Sequence, residues 1–178
     1  GGSFTKRITN GLQTNAIDKM SAIYMQQGEL EISNADCTIW GDYTNGIYML
    51  DGVLNIENTN YTIDGSYSKG IQMLHGKLSV TGGLCSLKGD ATYGIHSTVS
   101  GEGNFQVLDT SFRMTEGNNQ TGIYAENSKI VLTSRVDGDE KGDIYIEGDN
   151  AKGIHVAGAD SVVNSNSYTF EVHGENAN

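Results

Sequence analysis

Apolar and polar residues alternate along this chain in short bursts. Ile47/Met49, Leu54/Ile56 and Tyr61/Ile63 are three successive bursts, separated by turns rich in Gly, Asn and Asp at Asp51-Gly52, Asn58-Thr59-Asn60 and Asp64-Gly65. A two-residue period bounded by such residues predicts strands. No window carries apolar residues at i, i+3, i+4 and i+7 over three turns, which argues against a helical repeat.

The bursts themselves recur. A small residue followed by isoleucine stands at Ala22-Ile23, Gly46-Ile47, Gly70-Ile71 and Gly94-Ile95, each 24 residues apart. Gly122-Ile123 follows after 28 residues and Gly153-Ile154 after 31. Self-similarity at such a period marks a solenoid. Three strands per repeat predict an all-β, right-handed parallel β-helix of about six coils. Equivalent strands would pair about 4.8 Å apart, and the hand is the one parallel crossovers take.

Stacking the coils predicts six inward columns. The first holds Ile23, Ile47, Ile71, Ile95, Ile123 and Ile154. The second runs Met25, Met49, Met73, Ser97, Ala125, Val156; the third Leu30, Leu54, Leu78, Ile130, Val162; the fourth Ile32, Ile56, Val80, Val107, Leu132. The last strand of each coil supplies Cys37, Tyr61, Cys85, Phe112, Ile144 and Phe170, then Ile39, Ile63, Leu87, Met114, Ile146 and Val172. Cys37 and Cys85 share a column two coils apart, so their Cα atoms should lie roughly 9–10 Å apart, beyond disulfide reach. Two free, buried thiols are expected.

Composition sharpens this picture. The 178 residues include 24 Gly and no Pro, which suits a chain whose strands are nearly all interior, because proline deletes a ladder hydrogen bond. One domain, 22–178, is expected as a fragment of a longer chain. Residues 1–21 fit the repeat poorly and read as an N-terminal cap or tag remnant, with Leu12 to Met20 a short helix or loop covering the first coil. Insertions are expected at Gly101-Glu102-Gly103 and at Asp137 to Gly142. A net charge of −11 and a pI near 4.6 argue against nucleic acid or an anionic membrane as partner. No apolar run approaches the ~18 residues of a membrane span.

Thr44-Asn45-Gly46-Ile47-Tyr48, Gln120-Thr121-Gly122-Ile123-Tyr124 and Ala151-Lys152-Gly153-Ile154-His155 sit in glycine-rich coils that resemble the passenger domains of bacterial autotransporter adhesins and related surface β-helix proteins. The resemblance covers Ala22 to Asn178. It implies a bacterial cell-surface or extracellular location and a role in adhesion or self-association. The partner it implies is a host glycan, a surface protein or another copy of the chain.

The residue after each repeated isoleucine should point outward: Tyr24, Tyr48, Gln72, His96, Tyr124 and His155. Such a row is either a ligand-binding stripe or a ladder of stacked side chains that stabilises the strands. Leu50 and Leu74 would border it. Asp137, Asp139, Asp143 and Glu147 are spaced faintly like a calcium loop, with Gly142 at the sharp turn, but Lys141 falls where an oxygen ligand belongs. A solvated acidic turn is the expectation. His75, His96, His155 and His173 show no metal-ligand spacing, and no cofactor is expected.

Two other classes remain open. A polysaccharide-acting enzyme on this fold would resemble pectate lyases, with a carboxylate cluster and an arginine base, or polygalacturonases, with paired aspartates. Here Arg113 points outward alone, Arg7 and Arg135 lie in poorly repeating segments, and Glu31 and Glu171 are isolated. The regularity of the early coils also suits a stalk that holds another domain away from the cell. Asn60-Tyr61-Thr62 and Asn119-Gln120-Thr121 fit the N-glycosylation pattern, which carries little meaning on a bacterial chain.

Overall fold

The computed structural model describes residues 2–7 (backbone), 21–100, 104–135 and 142–178. The expected cover over 12–20, the insertion at 101–103 and the turn positions Asp137, Asp139 and Lys141 lie outside the described residues.

Strand β1 (Gly2–Arg7) precedes six coils of three strands each. Coil one holds β2 (Ser21–Met25), β3 (Glu29–Ser33) and β4 (Ala35–Trp40); coil two holds β5 (Asn45–Met49), β6 (Val53–Glu57) and β7 (Asn60–Asp64). Coil three holds β8 (Lys69–Met73), β9 (Lys77–Thr81) and β10 (Leu84–Lys88); coil four β11 (Tyr93–Ser97), β12 (Phe105–Leu108) and β13 (Ser111–Thr115). Coil five holds β14 (Thr121–Glu126), β15 (Lys129–Thr133) and β16 (Asp143–Glu147); coil six β17 (Lys152–Ala157), β18 (Val162–Asn166) and β19 (Thr169–His173). The first, second and third strands of successive coils form three parallel sheets of six, six and seven strands, the seventh being β1. The described chain is an all-β parallel solenoid without helix.

Gly2–Arg7, set apart from the coils by its sequence, pairs in parallel with β4, placing Phe4 beside Cys37 and Lys6 beside Ile39. It extends the third sheet by one strand. Elsewhere the columns follow the predicted register, with two corrections. Phe105 fills the coil-four place in the third column, paired with Leu78 and Ile130, and is fully buried. Val163, not Val162, stands beside Ile130; Val162 faces out at 44% exposure.

The repeated glycine before isoleucine has a packing cause. A Cβ on Gly70 would press on the Gly94 carbonyl oxygen at 2.6 Å and on Cys85 Sγ at 2.8 Å; on Gly94 it would meet Gly122 O at 2.6 Å and Phe112 Cδ1 at 2.7 Å. The bare backbone of the first sheet is where the third sheet's Cys85 and Phe112 come to rest. Cys37 and Cys85 are free and buried, with Tyr61 between them in the ladder. Burial pushes both thiols up to about 12.

Candidate binding groove

The corner leading from the third sheet into the next coil is built four residues at a time, as in Gly41-Asp42-Tyr43-Thr44 and Gly89-Asp90-Ala91-Thr92. Each position has one task. The glycines stack so closely that a Cβ on Gly65 would meet the Gly41 carbonyl oxygen, and one on Gly117 that of Gly89. The second position forms a relay between coils. Asp42 Oδ1 accepts the Ser66 amide at 2.7 Å, Ser66 Oγ the Asp90 amide at 3.1 Å, and Asp90 Oδ1 the Asn118 amide at 2.8 Å. Asn118 Oδ1 then accepts the Asp149 amide at 3.0 Å, and Asp149 Oδ1 the Glu175 amide at 2.9 Å.

The fourth position turns inward. Thr44, Ser68, Thr92 and Gln120 are buried; Thr44 Oγ1 donates to the Gly41 carbonyl at 3.0 Å, and Gln120 Nε2 to that of Gly89 at 3.1 Å. The third position alone is left free to vary. It adopts left-handed φ in every coil, at Tyr43, Tyr67, Ala91, Asn119, Asn150 and Asn176 (φ between 52 and 58°). Asparagine tolerates this conformation; a bulky tyrosine there is strained. Tyr43 and Tyr67 stack at 4.8 Å with planes 7° apart, and Tyr67 is 52% exposed.

The predicted row behind the repeated isoleucines is in register throughout, from Tyr24 through Tyr48, Gln72, His96 and Tyr124 to His155. It is not a uniform outer surface. Tyr24 is half exposed, whereas Tyr48 and Gln72 are buried, and Leu50 and Leu74 beside them are half-buried. Tyr24 stacks on Tyr48 at 5.7 Å, and His96 on Tyr124 at 4.7 Å. Burial and the nearby Lys69 charge push His96 down to about 4, so its ring is neutral at physiological pH.

The second half of the row opens toward the corner. Where the corner residue shrinks from Tyr67 to Ala91, a shallow groove of about 630 Å³ runs across coils four to six. Tyr124 and His155 line it together with Tyr93, Lys152, Asn119 and Asn150. The aromatic rings meet edge to face: Tyr93 on Tyr124 at 6.0 Å, and Tyr124 on His155 at 5.1 Å. None of the described residues lining this groove is a carboxylate, although the chain has 22 Asp and Glu. Glu116 and Glu147 line a separate depression.

As ligand-binding residues, sequence alone singles out Tyr124 and His155 but not Tyr93, Lys152 or the corner asparagines; Lys152 enters there only within the repeated motif and Asn119 only within a glycosylation pattern. Those asparagines follow the corner glycine by two residues in each late coil, a periodic signal with no apolar alternation to draw attention to it. Arg113 pairs with Asp143 at 2.6 Å and lies 5.5 Å from the centre of the Tyr145 ring, away from the groove. Glu171 contacts His173 at 2.8 Å. Among the described residues, no group of three or more His, Cys, Asp or Glu is placed to hold a metal ion. Comparison of the chain with protein-family profiles, curated proteins and solved structures returns no match.

Proposed function

We propose that this chain is a non-catalytic attachment module of a bacterial cell-surface or secreted protein, adhesin-like, whose contact surface is the groove on coils four to six. The observation that carries this reading is the groove's chemistry. Rings of Tyr93, Tyr124 and His155 line the groove together with Asn119 and Asn150. Sugars ask for that combination: apolar C–H faces to pack on rings, and hydroxyls to satisfy amide donors and acceptors. Glycoside hydrolysis generally uses a pair of carboxylates about the scissile bond, and the groove lining offers none.

A glycan array probed with the wild-type chain and with Tyr93→Ala/Tyr124→Ala tests the reading. Retained glycans that the double variant loses would support it. An array left empty by the wild-type protein would end the glycan assignment, and release of reducing ends from any arrayed polysaccharide would end the non-catalytic one. The buried, in-register Tyr48 and Gln72 favour a second reading, a spacer in which the row only stabilises the stack. Under that reading the double variant melts earlier and no ligand is found.

A further inference from the structure

One cation in the groove has no counter-ion, and that bears on which sugar belongs there. We infer that the groove takes a sugar bearing a single carboxylate, of the uronate or sialate kind, with its acid group against Lys152. This rests on the glycan-binding reading above and adds the charge of the ligand and the residue that selects it.

The register of the first sheet shows how Lys152 comes to be unmatched. Lys69, Tyr93, Thr121 and Lys152 stand in one column, and Gln72, His96, Tyr124 and His155 in another. In coil three the two columns meet, because Lys69 Nζ donates to Gln72 Oε1 at 3.1 Å. In coil six His155 replaces that acceptor, and Lys152 Nζ has neither a hydrogen bond nor an ion pair among the described residues. Lys88, Arg113 and Arg135, by contrast, are each paired with a carboxylate, of Glu116, Asp143 and Asp109. Lys152 is half-buried on the groove wall, where its charge is less screened than on an open surface.

The groups around it are hydrogen-bond donors: the Thr121 hydroxyl and the amides of Asn119 and Asn150. Tyr124 lies between His96, stacked at 4.7 Å, and His155, edge to face at 5.1 Å, so it offers a ligand its free edge and hydroxyl. Burial and then the charge of Glu126 raise the pKa of that hydroxyl, which keeps its proton; Glu126 itself does not line the groove. One ammonium matches one carboxylate. A polyanion would bring charge that Lys152 cannot match, against a net charge of −11.

NMR titration of the chain with the methyl glycosides of glucuronic acid and N-acetylneuraminic acid, each beside its carboxyl methyl ester, tests this. At least one acid should bind about tenfold more tightly than its ester, and the pair that shows the difference says which kind of sugar is held. Lys152→Gln should abolish the preference and Lys152→Arg should keep most of it. Lys77→Gln, at an exposed lysine of the second sheet, should leave it unchanged. Glu126→Gln should raise affinity for the acid about twofold and leave the ester alone, because only the acid feels that charge. Each variant should melt with the wild type. Equal binding of acid and ester, or a preference that survives Lys152→Gln, would overturn the carboxylate assignment and leave a neutral-sugar site in place. Binding of neither acid by a chain that retains neutral glycans on the array would do the same. Tighter binding of a heparin oligosaccharide than of either acid would overturn the single charge. A chain that binds no acid or ester and also leaves the array empty would lose both readings.

Discussion

The Tyr168 hydroxyl donates to the Thr110 carbonyl at 2.9 Å and accepts the Thr110 amide at 3.1 Å, joining residues 58 apart in sequence. This bond skips a coil. It is possible because Gly142 lies in the path: a Cβ there would meet Tyr168 Cζ at 2.5 Å. Tyr168→Phe would leave the Thr110 amide, part of a buried residue, without its partner. The expected loss is about 1–3 kcal/mol, measured by denaturant unfolding. An unchanged midpoint would mean that water replaces the hydroxyl.

Corner glycines should be intolerant of a single added carbon. Gly65→Ala places its Cβ against the Gly41 carbonyl oxygen, with the Asp42 amide 2.9 Å away. Backbone on both sides must shift, so a loss of roughly 1–3 kcal/mol is expected. Ala91→Gly at the variable position of the same corner is the control and should move stability far less.

Both thiols should resist modification in the folded protein. Cys37 and Cys85 are buried and their pKa values are pushed up to about 12, so little reactive thiolate exists at pH 8. Ellman's reagent should register no fast-reacting thiol natively and two after unfolding in guanidinium. Rapid native reaction at either site would contradict the packing of that column.

Acid should expose the cost of keeping His96 neutral. Its folded pKa is lowered to about 4, against about 6.5 in an unfolded chain. Between those values the unfolded state takes up a proton that the native state refuses, so stability falls as pH drops from about 6.5 to 4 and levels below that. His96→Gln, which places in the row the residue already found at Gln72, should flatten this part of the profile. Thermal midpoints at pH 7 and pH 5 for both proteins would show it, and identical losses would assign the acid sensitivity elsewhere.

What the sequence makes legible here is whatever repeats with its period intact. The isoleucine column and the Cys37–Tyr61–Cys85 order follow from counting. Phe105 does not, because the longer fourth coil breaks the count just before it; the still longer fifth coil likewise hides the shift from Val162 to Val163. Strand β1 falls before the first repeated isoleucine, and Lys6 occupies a place that is apolar in later coils. The row from Tyr24 to His155 is plain in the sequence, yet its partial burial depends on what flanks each ring. The groove arises from a size change, Tyr67 to Ala91, that alternation cannot register.

At the corner, three of every four residues are committed: one may carry no side chain, one must hand an acceptor to its neighbour, and one is buried. Only the left-handed site can be rewritten without disturbing the rest. Each winding of the rod therefore presents a single editable letter, and the present chain spells Tyr-Tyr-Ala-Asn-Asn-Asn along its edge. A change of taste in such a molecule needs no new loop and no new fold, only respelling that edge one winding at a time.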